Sequence, residues 1–199
     1  MKVRMATAGF YMRVETEEDM LEISRMGIKN CEIFLSGYTE YTQEYFRKIT
    51  SILKGEGVRC SAVHALSLQF EPQLFSAHRR QHGDALDLYN RILDGAMELG
   101  AQCYTMHGHF MLKTGAKIHN YERTAGYLRE AADLAQQRNV TLALENVHYC
   151  MYNRVGLAAK LKPYLEGSSL GYTIDVKQAV RAEEDPFDYL AEMGGRLAN

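Results

Sequence analysis

The run VTLALEN, residues 140–146, brings an apolar stretch to an end on the carboxylate of Glu145. An unpaired charge there costs free energy or shifts its pKa, unless something of opposite charge meets it. Three more ionisable residues close apolar runs in the same way: His64 in VRCSAVH, His107 in QCYTMH and Asp175 in LGYTID. Imidazole nitrogen and carboxylate oxygen are both ligands for divalent cations. Taken singly, each residue has a plain structural explanation: a histidine is hydrogen-bonded, and an acid caps a helix or pairs with Lys or Arg. Four at equivalent positions point to one shared site, and a cation there would offset the charge of Glu145.

Other candidates carry less. His109, in HGHF just past His107, either lines a pocket or is a loop histidine, and His148 is similar. His78, His82 and His119 fall in helical or capping contexts, and Arg79 and Arg80 read as a solvated helix face. Lys113 and Lys117, in a long loop, could reach a sugar phosphate.

Short apolar runs alternate with amphipathic segments along the chain. Strands are expected at about residues 3–8, 31–35, 58–64, 102–107, 140–145 and 170–175. Helices are expected after each: TEEDMLEISRMG capped at Thr16, YTQEYFRKITSILKGEG, about Ser76 to Leu99, Asn120 to Arg138, Val155 to Leu165, then VKQAVRAEE and PFDYLAEMG. No Asn-Gly hairpin signal separates the strands. Six β-α units in this order predict a parallel sheet covered by helices.

Side-chain alternation bears on how the sheet closes. Cys60, Ala62 and His64 share one face of their strand; so do Cys103, Thr105 and His107; Thr141, Ala143 and Glu145; and Gly171, Thr173 and Asp175. The opposite faces are bulkier. Small faces ending in ionisable groups suit the crowded interior of a (β/α)8 TIM barrel, whose chemistry sits at the C-terminal ends of the strands. The first β-α turn, AGFYMRVE, lacks the G-x-G-x-x-G of a dinucleotide-binding open sheet.

Composition supports one domain, residues 1–199. The formal net charge of −2 gives no electrostatic case for nucleic acid or an anionic membrane as partner. No apolar run approaches the roughly 20 residues that span a bilayer. The N-terminus reads as a strand rather than a signal core, and Cys31, Cys60, Cys103 and Cys150 are spaced too widely for a zinc cluster. Reduced, buried thiols in a cytoplasmic protein are the expectation.

The residues also carry a resemblance. LALEN, then YTIDVKQA, then EEDPFDYL, with a histidine in SAVHA and another in YTMHG, resembles the sugar phosphate isomerase/epimerase superfamily. This is the xylose isomerase-like TIM barrel group, which includes inosose-processing enzymes, tagatose and allulose epimerases, and endonuclease IV. The resemblance runs through the whole chain in unit order. It implies a divalent metal (Mn, Mg, Co or Zn), with Glu145 and Asp175 as ligands and Glu145 also as acid/base. It places His64 and His107 near a small-molecule sugar or sugar phosphate; Gln178, through its amide, and His109, by its place in the loop, are the further candidates for substrate contact. In endonuclease IV the positions of His64 and His107 bind extra zinc.

Two departures matter. Where many relatives have D-x-x-H, this chain has Asp175-Val176-Lys177-Gln178. The sequence also stops at GGRLAN, where strand seven would start, so the barrel is expected to be incomplete, with strands seven and eight missing from a C-terminally truncated domain. Such barrels typically run to about 250 residues. The expected function is metal-dependent isomerisation or epimerisation by proton transfer next to a carbonyl. The alternatives are an inosose-type dehydratase and a sugar-binding relative or fragment without catalysis; endonuclease IV-like hydrolysis ranks below them. A homo-oligomer fits the group, although no segment reads as an interface.

Overall fold

Each strand of this chain has one bulky face, and burying those faces against helices organises the molecule. A computed structural model describes residues 4–10, 15–111, 118 and 120–199. Six parallel strands form one sheet in sequence order: β1 (Met5–Ala6), β2 (Asn30–Leu35), β3 (Arg59–Ala65), β4 (Cys103–Met106), β5 (Thr141–Glu145) and β6 (Gly171–Thr173). Eight α-helices are described: α1 (Thr16–Arg25), α2 (Gln43–Glu56), α3 (Glu71–Leu74), α4 (Arg79–Glu98), α5 (Tyr121–Gln136), α6 (Leu157–Leu161), α7 (Val176–Arg181) and α8 (Pro186–Met193). Among the described residues, no helix is long and apolar enough to cross a membrane.

The main core lies between sheet and helices. Ile33 and Leu35 of β2, Val63 of β3, Tyr104 and Met106 of β4, and Leu142 and Leu144 of β5 pack there against Ile49, Tyr89, Ile92, Leu128 and Ala132. On the other side of the sheet, Ala62, Cys103 and Ala143 form a separate small cluster. That is the expected split between bulky outer and small inner faces.

Strand β3 departs from simple alternation. Cys31 pairs with Cys60, but the next residue, Glu32, pairs with Ala62, so Ser61 is an extra residue in the ladder. Such a bulge shifts the side-chain alternation by one position. Cys60 therefore packs in the outer core with Cys31 and Val63, not on the inner face with Ala62 and His64. The four cysteines are free and buried.

Helix boundaries follow local chemistry. The Thr42 hydroxyl accepts from Tyr45 N to start α2, and Gly57 ends it at φ 62°. Asn120 caps α5 through Arg123 N. Thr16 is not the cap of α1: Glu15 holds that position, and the Thr16 hydroxyl donates instead to Phe34 O and to Glu40. The long helical region after β3 divides into α3 and α4, because Ser76–His78 leave the helical path. The first strand is shorter than expected and gives way to a 3-10 turn, Thr7–Phe10; Val3 of that expected strand lies outside the described residues.

After α8 the chain returns to the sheet edge. Leu197 bridges Tyr172 in parallel, Ala198 N donates to Tyr172 O (2.8 Å) and Ile174 N donates to Asn199 O (3.2 Å). Residues 197–199 thus lie beside β6 in the place of a seventh strand, and the six named strands stand as an incomplete barrel wall.

Two substitutions test the packing. A Cβ added at Gly95 of α4 would lie 2.1 Å from the buried Phe46 ring of α2. Gly95→Ala should therefore cost about 1–3 kcal/mol by overpacking, read as a lower urea midpoint. Burial, then the charges of Glu18 and Glu15, raise the Asp19 carboxyl from 3.8 to about 6, and its Oδ1 has no hydrogen-bond partner among the described residues. Its contribution to stability is complete below 3.8 and is lost as pH rises through about 6. Asp19→Asn, which never ionises, should gain stability over the wild type as pH rises across that window, measured by denaturant melts at pH 4 and pH 8.

Candidate metal centre

A parallel strand delivers its last inward residue to the mouth of the barrel, and adjacent strands in register deliver theirs side by side. Here Phe34 pairs with His64, His64 with Thr105, Thr105 with Ala143, and Glu145 with Thr173. His64 is near the end of β3, His107 directly follows β4, and Glu145 is the last residue of β5. Their ligand atoms all lie within 4.8 Å of one another.

The three groups differ in what they touch. His107 Nε2 lies 2.8 Å from Glu145 Oε2, and its Nδ1 lies 3.1 Å from Ser67 Oγ. The His64 ring meets that of His107 edge-on with centroids 4.5 Å apart, and meets Phe34 on another side at 5.2 Å. His64 Nε2 is buried and has no partner among the described residues. Its Nδ1 is 3.9 Å from Glu32 Oε1.

Electrostatics separate the two imidazoles. Burial, and then the neighbouring His107, push His64 well below its ordinary value, so it stands as a neutral ring. Burial would lower His107 too, but its hydrogen bond to Glu145 and the charges of Glu71, Glu145 and Asp175 outweigh that and raise it. A neutral His64 with an unpartnered nitrogen is a ready donor to a cation. Two imidazoles and one carboxylate form a donor set that suits a divalent transition metal.

Asp175 follows β6 but is not part of the three-residue group. Its Oδ1 accepts from Gln178 N at 2.9 Å and so caps α7. Asn146, the residue after Glu145, fixes its backbone: Asn146 Nδ2 donates to Asp175 O (2.8 Å) and Asn146 Oδ1 accepts from Asp175 N (2.6 Å). This reciprocal pair ties the end of β5 to the end of β6. Gln178 Oε1 is held 2.5 Å from His148 Nδ1, so that loop histidine is a partner of Gln178. His109 lies apart, its ring edge-on to Phe75 at 5.3 Å and its value lowered mainly by burial. Lys113, Lys117 and His119 lie outside the described residues.

Two acids that sequence reasoning passed over stand behind the site. Glu32 of β2 accepts from Asn199 Nδ2 at 3.0 Å, and burial and then the charge of Glu145 raise its carboxyl. Its sequence signal is a charge inside the apolar run CEIFL. Glu71, wholly buried, accepts from Tyr104 Oη (2.8 Å) and from the backbone N–H groups of His107 and Gly108 (both 2.9 Å). Burial pushes it up to about 7, against the pull of His107 and of those donors. It lies in a segment, SLQFEPQLF, with no periodic pattern to single it out.

A cavity of about 470 Å³, lined by Arg4, Ser61, Thr141, Ser169 and Arg196 among others, opens at the opposite, N-terminal ends of the strands. Thr141 and Glu145 are the two ends of β5, a strand's length apart, so this cavity is not the site of the ionisable cluster.

Residues 21–198 match the xylose isomerase-like TIM barrel family. The chain belongs to that family. Solved structures agree on the fold. A D-tagatose 3-epimerase-like protein superposes with TM-score 0.79 at 16% identity, over 99% of this chain and 73% of its own. The D-psicose 3-epimerase of Clostridium cellulolyticum gives 0.80 at 15%, over 99% and 71%. A probable 3-DHS dehydratase from Bacillus anthracis gives 0.75 at 14%, over 99% and 71%. No curated protein matches the chain in sequence.

Removing Asn146, which is 1% exposed, would leave the Asp175 N–H without its partner, while the Asp175 C=O would keep only Ala179 N (3.0 Å). Asn146→Ala should cost about 1–3 kcal/mol, read by urea denaturation. A loss below about 0.5 kcal/mol would show that the pair does not hold the two strand ends.

Proposed function

We propose that this chain works as a divalent-metal-dependent isomerase or epimerase of a sugar or sugar phosphate, by proton transfer at the carbon next to a carbonyl. The observation that carries the reading is the meeting of His64, His107 and Glu145 at the strand ends, with His64 Nε2 buried and unpartnered. Those three residues would hold the metal. Asp175 would add a fourth ligand through the carboxylate oxygen that does not cap α7. Nitrogen donors favour Mn, Co or Zn over Mg. When bound, the metal supplies positive charge that stabilises negative charge developing on a substrate oxygen.

The chain's own residues supply the rest. Glu145 would take the proton from the carbon next to the carbonyl and, in isomerisation, deliver it to the former carbonyl carbon; inversion at the same carbon would need a second proton donor on the opposite face of the substrate. His107, 2.8 Å away, holds the Glu145 carboxylate in place. Gln178, whose Oε1 is engaged by His148, would offer substrate only its amide nitrogen. Ala62, Cys103 and Ala143 form the inner face below the site. The epimerases among the solved structures of this fold support the substrate class.

The test is hydrogen exchange in D2O. Protein loaded with Mn2+ or Co2+ is incubated with ketopentoses, ketohexoses and their phosphates, and deuterium uptake next to the carbonyl is followed by NMR. Glu145→Gln should lower the exchange by about 10²–10⁴-fold with an unchanged circular dichroism spectrum. Near-wild-type exchange in that variant sinks the assignment. Dehydration begins with the same proton abstraction, and the probable 3-DHS dehydratase shares the fold. Loss of water and a new conjugated-carbonyl absorbance would mark that reaction instead.

A further inference from the structure

The segment after β3 crosses to the end of β4 and touches His107 at two atoms, its ring Nδ1 and its backbone N–H. Ser67 Oγ lies 3.1 Å from the ring Nδ1. The Glu71 Oε2 atom accepts from the His107 N–H and from the Gly108 N–H, both at 2.9 Å, while Oε1 accepts from Tyr104 Oη at 2.8 Å. Both residues are buried, Ser67 5% exposed and Glu71 0%.

A carboxylate with no solvent exposure is costly unless donors surround it. Glu71 has three, and two of them are consecutive backbone amides of the strand end that carries His107. The turn that aims both amides at one oxygen depends on Gly108, whose φ is 77° and whose missing Cβ would lie 2.3 Å from Met151 Sδ. The main chain at His107 is thus held by Glu71, and the ring by Ser67. A hydroxyl can donate or accept, so Ser67 can serve Nδ1 while Nε2 faces a carboxylate or a cation.

We infer that Ser67 and Glu71 are positioning residues for His107, clamping its backbone and its ring so that Nε2 is presented to Glu145 and to a metal. Neither residue is among the ionisable groups that converge on the site. The effect on metal binding rests on the function proposed above; the effect on the His107 ring does not. Partners of this kind behind a metal-binding histidine are worth about ten- to a hundredfold in affinity.

The experiment uses Ser67→Ala, Ser67→Thr and Glu71→Gln. Gln has nearly the same shape, but its NH2 group would face donors that need an acceptor. Two signals are read: Co2+ affinity by visible absorption, and the His107 ring nitrogens by long-range 1H–15N correlation without metal, assigned with His107→Gln. The expected result is a ten- to hundredfold loss of Co2+ affinity in Ser67→Ala and Glu71→Gln, recovery in Ser67→Thr, and displaced His107 nitrogen signals in the first two. If Glu71→Gln does not fold, Ser67→Ala and its threonine rescue decide. Wild-type Co2+ affinity with unmoved His107 signals overturns the clamp. If the wild type itself binds no Co2+, the metal reading falls, and unmoved ring signals in Ser67→Ala overturn the clamp independently.

Discussion

A carboxylate at the buried end of an apolar strand has to be met by opposite charge or by donors, and Glu145 is met by His107. The pair is only available because β4 and β5 run parallel in register, from Cys103 opposite Thr141 to Met106 opposite Leu144. Each strand then releases its next residue at the same height. The side chains of His107 and Glu145 are only 14% and 12% exposed, so neither can rely on water to soften the other's charge. The geometry of the mouth depends on this contact: His64 stacks edge-on against the paired ring, and the loop after β3 closes over it from behind.

Acidic groups are layered around that contact. Glu145 faces the site, Glu32 lies beneath it on β2, and Glu71 lies behind it in α3. Burial raises Glu32 and Glu71 alike, but they are satisfied differently. Glu32 accepts from Asn199 in the segment beside β6, whereas Glu71 accepts from backbone amides. The first joins two distant parts of the sheet across its interior; the second sets the path of one turn. Two imidazoles within this shell titrate in opposite directions because one has a carboxylate partner at hydrogen-bond distance and the other does not.

The inner face shows how a one-residue irregularity can matter. Without the bulge at Ser61, alternation would put Cys60 inward with Ala62 and His64. With it, Ala62 and His64 point in while Cys60 joins the outer core, and the inner layer narrows to Ala62, Cys103 and Ala143. A pattern of alternation can be read along a strand, but an inserted residue has no side-chain signature of its own, since serine fits either face.

What was legible beforehand were the period-two runs and the ionisable residues that end them. The six strands and the strand-end positions of His64, His107, Glu145 and Asp175 follow from side-chain polarity along short segments, which is a local property, and the parallel sense follows from the helical segment between successive strands. The inner–outer split of β4, β5 and β6 follows for the same reason. The tertiary structure alone decided who meets whom. It gathered three of the four into one cluster and gave the Asp175 side chain to the cap of α7, because a carboxylate one residue before a helix satisfies free amides at once. It also recruited Glu32, Ser67, Glu71 and Asn146, whose roles come from contacts between residues 29 to 167 positions apart. Such contacts leave no periodic trace in the chain, so sequence alone determined the wall and its chemical edge, and packing across the sheet decided how that edge is wired.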